Sequence, residues 1–190
     1  MGKEIKKCLI ITGAPEDDID YYKQYIDGRF IIGADSGYQK CVKLNIKPNL
    51  IIGDFDSSTK PDTDIETIVL PVRKDDTDTL SAVKEAIKRG YNDIIILGGI
   101  GNRFDHTYNN VLVLNFCFDR NIKAVLINKH NKIEIIASLP FYTAKDNDRQ
   151  RGEGPRQGRR EQEGPRAASG ALLRRVHPQL LRWRCEGRGR

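Results

Sequence analysis

The chain has 190 residues and a formal net charge of +6, and this length suits one main domain that buries a core without disulfides. Residues 1–145 carry 20 basic and 20 acidic side chains, whereas residues 146–190 carry 12 arginines and 6 acidic side chains. A basic chain usually suggests nucleic-acid binding. Because residues 1–145 carry no net charge, that inference is excluded for the globular region. The sequence contains no apolar run of 18 residues, which excludes a membrane span.

Short apolar runs alternate with helical patterns from the N-terminus to about residue 137. Strands are predicted at 8–11, 30–32, 50–52, 67–70, 94–97, 124–127 and 133–136, and helices at 17–26, 38–44, 78–89 and 108–118. In the last helix, Val111, Leu112 and Phe116 are predicted to share one side. The alternation predicts an α/β fold with a doubly wound, mostly parallel, Rossmann-like sheet and helices on both faces.

The composition changes abruptly in the C-terminal part. Residues 1–145 contain 22 Ile and 15 Lys, and residues 146–190 contain neither. Ile and Lys are read from AT-rich codons and Arg and Gly from GC-rich ones, so the change indicates a fused or misassembled reading frame; a genuine basic tail is the alternative. We predict an α/β catalytic domain over 1–137 and a disordered Arg/Gly-rich tail over 138–190. Read as an RNA-binding arm, that tail would bind non-specifically.

The four cysteines are Cys8, Cys41, Cys117 and Cys185. Their spacing fits neither a metal site nor a disulfide framework, and three of them lie in apolar surroundings, as small core residues do. The N-terminal residues lack the apolar segment of a signal peptide. The expected location is the reducing cytoplasm.

Two carboxylates, Asp54 and Asp56, directly follow the apolar run 50–52 in the segment GDFDS. In an extended chain residues i and i+2 point to the same side, so both carboxylates would face one point at the carboxyl end of a strand. Two hard oxygen ligands there suit Mg²⁺ carrying a phosphate chain. A polar turn is the alternative interpretation, because Asp and Ser are common turn formers.

Further polar clusters also follow predicted strands, at 33–37, 74–78 and 98–106. A doubly wound sheet would collect all of them at one edge. The glycines at 98–101 would let the backbone approach phosphates, and Arg103 could hold phosphate oxygens. Asp78 could complete a metal shell, and Asp35 has little structural reason to stand at a strand end.

Plain structural roles remain open for several of these residues. Thr77 and Asp78 would serve equally well as a helix N-cap. Arg103 and Asp105 could form a local ion pair, and His106 could be a polar residue at a helix start.

Taken in order, four motifs resemble the N-terminal domain of the thiamine pyrophosphokinase family. They are ADSG at 34–37, GDFDS at 53–57, KDDTD at 74–78 and GGIGNRFDHTYNN at 98–110. The resemblance covers about residues 8–137. It implies transfer of pyrophosphate from ATP to the hydroxyethyl group of thiamine, with release of AMP, dependence on Mg²⁺ and a homodimer.

The resemblance also implies roles for individual residues. The metal and phosphates would lie on Asp54, Asp56 and Asp78, with Arg103 completing the catalytic set. The residues implied in binding nucleotide or substrate are Asp35, Ser36, Gly37, Lys74, Thr77, Gly98, Gly99, Arg103, Asp105, His106 and Asn110. Positioning and charge neutralisation would carry the rate.

The C-terminal part departs from the family pattern. The family has an all-β domain after the α/β domain, which completes the thiamine pocket, and here the Arg/Gly-rich segment stands where it would begin, near Ser138. The alternative function is therefore a truncated, non-catalytic domain that binds Mg-ATP and lacks the thiamine-binding β-domain.

Overall fold

A computed structural model describes residues 4–16, 18–55, 63–72, 75–136 and 180–185, the last for its backbone alone. The strands are β1 Lys7–Ile11, β2 Phe30–Ala34, β3 Leu50–Gly53, β4 Glu66–Val69, β5 Asp93–Leu97, β6 Lys123–Ile127, β7 Asn131–Ile136 and β8 Leu180–Cys185. The helices are a 3₁₀ helix Asp20–Tyr25, α1 Gly37–Lys43, α2 Asp78–Lys88 and α3 Phe104–Phe118.

All strands belong to one sheet in the order β4-β3-β2-β1-β5-β6-β7-β8. The pairs from β4 through β6 are parallel, and β7 runs antiparallel to β6. The chain winds outward from β1 to β4 and then returns to β5 on the other side of β1. The strand order therefore reverses between β1 and β5, and a crevice opens beyond their carboxyl ends, where such sheets bind ligands.

Alternate residues of the buried strands feed two hydrophobic clusters, one on each face of the sheet. Cys8 and Ile10 of β1 pack in the cluster that α2 and α3 cover. Leu9 and Ile11 pack in the other, with Tyr22 of the 3₁₀ helix and Cys41 of α1. The predicted doubly wound, mostly parallel sheet with helices on both faces is confirmed.

Some local predictions need correction. The segment predicted as a helix over 17–26 is a short 3₁₀ helix, with Tyr22 fully buried on the sheet. Helix α3 begins at Phe104 and not at Tyr108. Its buried side carries Asn110, Val113, Leu114 and Cys117. Of the three residues predicted to share one side, Val111 and Phe116 pack partly buried against the core, whereas Leu112 is 49% exposed and was wrongly included.

Most of the segment predicted as a tail lies outside the described residues. Within it, the backbone of Leu180–Cys185 forms β8, next to β7. Among the described residues, no helix is both long and apolar enough to cross a bilayer.

Candidate functional site

A cavity of about 460 Å³ lies at the carboxyl edge of the sheet. Four loops, which follow β1, β2, β4 and β5, line it together with the starts of α2 and α3, as the sheet topology predicts. The lining residues are Thr12, Gly13, Ala14, Pro15, Ala34, Asp35, Ser36, Thr77, Asp78, Thr79, Gly98, Gly99, Gly101, Asn102, Arg103, His106, Asn109 and Asn110. Nine of the predicted site residues are therefore brought together in one cavity.

The loop after β5 requires glycine at its first position. Gly98 has φ +68, and a Cβ there would lie 2.3 Å from the Thr12 carbonyl oxygen. The next residue, Gly99, is fixed by a hydrogen bond from α3: Asn110 Nδ2 donates to the Gly99 carbonyl oxygen at 2.8 Å. Asn110, 7% exposed, thus both lines the cavity and fixes the glycine loop.

The carboxylate after β2 is held in an unusual backbone. Asp35 has φ 48, a left-handed conformation that costs most residues free energy, and its amide donates to the Ile52 carbonyl oxygen at 2.7 Å. Its Oδ1 atom is buried and has no hydrogen-bond partner in the part of the chain that the structure describes. Strain and an unsatisfied polar atom in one cavity-lining residue are typical of a functional position.

The next residues begin α1 close against β1. A Cβ on Gly37 would lie 2.0 Å from the Ile11 carbonyl oxygen, and a Cβ on Gly13 would lie 1.8 Å from Ser36 Oγ. Ser36 lines the cavity, whereas Gly37 is buried beside it and serves the packing of the helix.

At the start of α2 the structural interpretation is confirmed for Thr77. Its side chain is the N-cap and accepts a hydrogen bond from the Leu80 amide at 3.2 Å. Thr77 and Asp78 also line the cavity, so this helix presents its N-terminus and a first-turn carboxylate to it. Positive partial charge at a helix N-terminus favours anions.

At the rim, Arg103 and Asp105 form the local ion pair that was the alternative for them. Arg103 Nη2 lies 2.6 Å from Asp105 Oδ2, and the two side chains are 69% and 59% exposed. The hydrogen bond between them raises the pKa of Arg103 and lowers that of Asp105. Arg103 and His106 line the cavity, and Asp105 orients Arg103 from outside it.

The extended backbone that leads into GDFDS ends before Asp54. Strand β3 ends at Gly53, and Phe55 is left-handed with φ 54. The argument that placed Asp54 and Asp56 on one side of a strand therefore does not hold, because side chains alternate only in extended backbone. Asp54 is half-buried, and the positions of Asp56 and Lys74 lie outside the described residues.

The loop after β1 is not among the predicted polar clusters, yet Thr12, Gly13 and Ala14 line the cavity. The Thr12 amide donates to the Leu97 carbonyl oxygen at 2.8 Å, which joins this loop to the end of β5. A usable signal was present, since TGAP directly follows the carboxyl end of the first strand, as the other clusters follow theirs.

The same region is what known proteins share with this chain. A family model described as "Thiamin pyrophosphokinase, catalytic domain" matches residues 22–126, more than half of the chain. A relative named "Thiamine pyrophosphokinase" from Bacillus subtilis is 31% identical over 152 residues, which cover 76% of this chain and 71% of the relative.

The chain belongs to the thiamine pyrophosphokinase family. The crystal structure of the enzyme from Bacillus subtilis superposes with a TM-score of 0.62 at 28% identity, covering 70% of this chain and 65% of that one. A thiamin pyrophosphokinase family protein from Enterococcus faecalis superposes with a TM-score of 0.59 at 26% identity, covering 70% and 66%. This chain thus spans about two thirds of the length of the solved family structures.

Proposed function

We propose that this chain transfers the pyrophosphoryl group of ATP to the hydroxyl group of thiamine, giving thiamine diphosphate and AMP. One observation carries the proposal: residues from three of the four motifs that resemble the family line one cavity at the carboxyl edge of the sheet, in a chain that matches the family's catalytic domain. The hydroxyl oxygen forms a bond to the β-phosphorus of ATP. The bond between that phosphorus and the oxygen of the AMP phosphate breaks, AMP leaves with the electron pair, and the hydroxyl proton passes to a base.

The proposed roles follow from what lines the cavity. Gly98 and Gly99 line the cavity, where their backbone would meet the phosphates, and Arg103 at the rim supplies a permanent positive charge. Thr77 caps a helix whose N-terminus favours the same anion. Such groups stabilise the charge that spreads over transferring phosphoryl oxygens.

Magnesium is the proposed metal, and the donor chemistry fits it. Hard carboxylate oxygens are the ligands it prefers, and Asp35 supplies a buried oxygen with no hydrogen-bond partner among the described residues. Asp54 and Asp78 would hold the ion as predicted, with Asp56 beyond the described part of the chain; no group of three potential ligands is gathered within that part. Bound Mg²⁺ neutralises phosphate charge.

The deciding experiment titrates the full chain with Mg-ATP by calorimetry and then assays AMP release with and without thiamine. Binding of Mg-ATP together with thiamine-dependent release at about 1 per second or faster is the expected result. Asp54→Asn should weaken binding of the nucleotide and leave the thermal unfolding midpoint unchanged. Asp27→Asn, which changes an exposed turn carboxylate, is the matched control and should alter neither.

Binding of Mg-ATP without any thiamine-dependent AMP release would favour the alternative, a non-catalytic nucleotide-binding domain. In that case, fusing a family β-domain after Ile136 should restore turnover. Failure to bind Mg-ATP would contradict the proposed site itself.

Two further proposals accompany the activity. A homodimer is expected from the family, and analytical ultracentrifugation tests it. A cytoplasmic location is supported by Cys8, Cys41 and Cys117, which are all free, and fractionation of cells that express the chain tests that.

A further inference from the structure

A buried lysine lies directly behind the glycine loops of the cavity. Lys40 projects from α1, and its side chain is only 11% exposed. Lysine is rarely buried unless its charge is paired. Its position therefore calls for an explanation, and the fold of α1 alone does not supply one.

The Lys40 ammonium group has three partners, and all belong to or adjoin the loop after β1. Its Nζ donates to the Ala14 carbonyl oxygen at 2.5 Å and to Tyr22 Oη at 3.3 Å. The Glu16 carboxylate lies 3.8 Å away, with a side chain 9% exposed. Ion pairs this well buried gain from low dielectric only when hydrogen bonds also satisfy both charges.

The Glu16 carboxylate is satisfied by two tyrosines. Tyr21 Oη donates to Glu16 Oε1 at 2.6 Å, and Tyr22 Oη donates to Glu16 Oε2. Burial lowers the pKa of Lys40, and Glu16 opposes that shift. Lys40, Glu16, Tyr21 and Tyr22 thus form one buried polar network, and each contact helps to hold the others.

This network is continuous with the cavity wall through Ala14. The Ala14 carbonyl oxygen accepts from Lys40, and the Ala14 amide donates to the Gly98 carbonyl oxygen at 2.8 Å. Lys40 also lies against Gly98 itself, where a Cβ would come within 2.5 Å of Nζ. The Lys40 side chain therefore contacts both the loop after β1 and the loop after β5, at the point where the strand order reverses.

We infer that Lys40 is a positioning residue of the cavity: it holds the loop after β1 and the glycine loop after β5 in the register that admits a nucleotide. The inference rests on the proposed function, since it names what sets the shape of that site. Lys40 is not a lining residue of the cavity and acts through Ala14 and Gly98. A displacement of about 1 Å in positioning groups lowers rates about a hundredfold.

The test compares full-length Lys40→Met with Lys43→Met. Lys43 lies on the same helix, is exposed and loses the same charge, so it is the matched control. In Lys40→Met we expect amide exchange at 12–16 and 98–101 in the ligand-free protein to accelerate about tenfold or more. The KM for ATP should rise about tenfold, with a smaller change in the KM for thiamine. Lys43→Met should match the parent chain in each measurement.

Removing the cation leaves the buried Glu16 carboxylate without its partner charge, which destabilises the fold, so two gentler variants accompany the first. Lys40→Arg keeps a cation and donors, and should recover most of the affinity for ATP. Tyr22→Phe keeps the ring and removes the hydroxyl that accepts from Lys40 and donates to Glu16, and should accelerate exchange in the same two loops by a smaller factor. Unchanged exchange in Tyr22→Phe, together with exchange and KM unchanged in a folded Lys40→Met, would overturn the inference.

Failure of this inference is distinguishable from failure of the proposed function. Amide exchange is measured without ligand, so it tests the positioning role of Lys40 even if the parent chain binds no nucleotide. If the two loops exchange faster in Lys40→Met while the parent fails to bind Mg-ATP, the positioning role stands and the proposed function falls.

Discussion

Replacing Asp35 by Asn should make the protein more stable and less active. Asp35 lines the cavity, and its Oδ1 atom is buried without a hydrogen-bond partner among the described residues. Its backbone is left-handed, with φ 48. Asn tolerates that conformation as well as Asp does, so the substitution changes the charge and leaves the backbone strain as it was.

The expected change in stability follows from the free-energy cost of burying Asp35 Oδ1 without a hydrogen bond. A buried polar atom left unsatisfied costs about 1–3 kcal/mol, and more if it is charged. A neutral amide recovers part of this cost, so the free energy of unfolding should rise by about 1 kcal/mol. In a domain of this size such a change raises Tm by roughly 2–4 °C. Loss of the carboxylate from the proposed phosphate site should lower kcat by about a hundredfold.

Urea unfolding of the ligand-free chain and the AMP-release assay measure the two effects. Asp27→Asn removes an exposed carboxylate and should change neither quantity. If Asp35→Asn lowers the free energy of unfolding by about 1 kcal/mol or more, the carboxylate is structural and the reasoning fails. A variant that is more stable and fully active would show that the buried oxygen has no role in the reaction.

Three further predictions concern single features of the fold. Gly98→Ala and Gly28→Ala impose the same strain at φ +68, but only Gly98 has atoms where the Cβ would stand. In urea unfolding, the free energy of unfolding should fall by about 1 kcal/mol for Gly28→Ala and by about 3 kcal/mol or more for Gly98→Ala. Equal losses would refute the close approach at Gly98. Thr77→Ala removes the N-cap and should cost about 1 kcal/mol in the same assay, whereas Thr77→Ser should be nearly neutral. Burial raises the pKa of three thiols from 9.0 to about 12, those of Cys8, Cys41 and Cys117. The thiols of the unfolded chain therefore lose their protons at a lower pH than those of the folded chain. The contribution of the thiols to the stability of the fold is complete below pH 9 and is lost as pH rises towards 12, by about 1.4 kcal/mol per thiol and pH unit. A Cys→Ala series should flatten that dependence on pH.

Local patterns were enough for seven strands of the sheet, though not for β8, and for most of the residues that line the cavity. The apolar runs place six parallel strands. The central ones are apolar because they are buried on both faces, whereas β4 at the edge has no buried residue. Gly98, Arg103 and Asp78 were predicted to meet because the carboxyl ends of parallel strands share an edge. The N-cap at Thr77 was one of two interpretations, and it depends only on a hydroxyl three residues before an amide.

Long-range contacts decided what those patterns could not. Asp35 is left-handed with its amide bonded to the Ile52 carbonyl oxygen, and Phe55 turns GDFDS out of the strand. Asn110 donates a hydrogen bond to Gly99, eleven residues away. Nothing in the sequence distinguishes Lys40 from an exposed helical lysine. Each of these features arises where separate strands and loops converge. Buried polar groups need hydrogen-bond partners, and only the assembled fold determines which partner is within reach, or leaves a group such as Asp35 Oδ1 without one among the described residues.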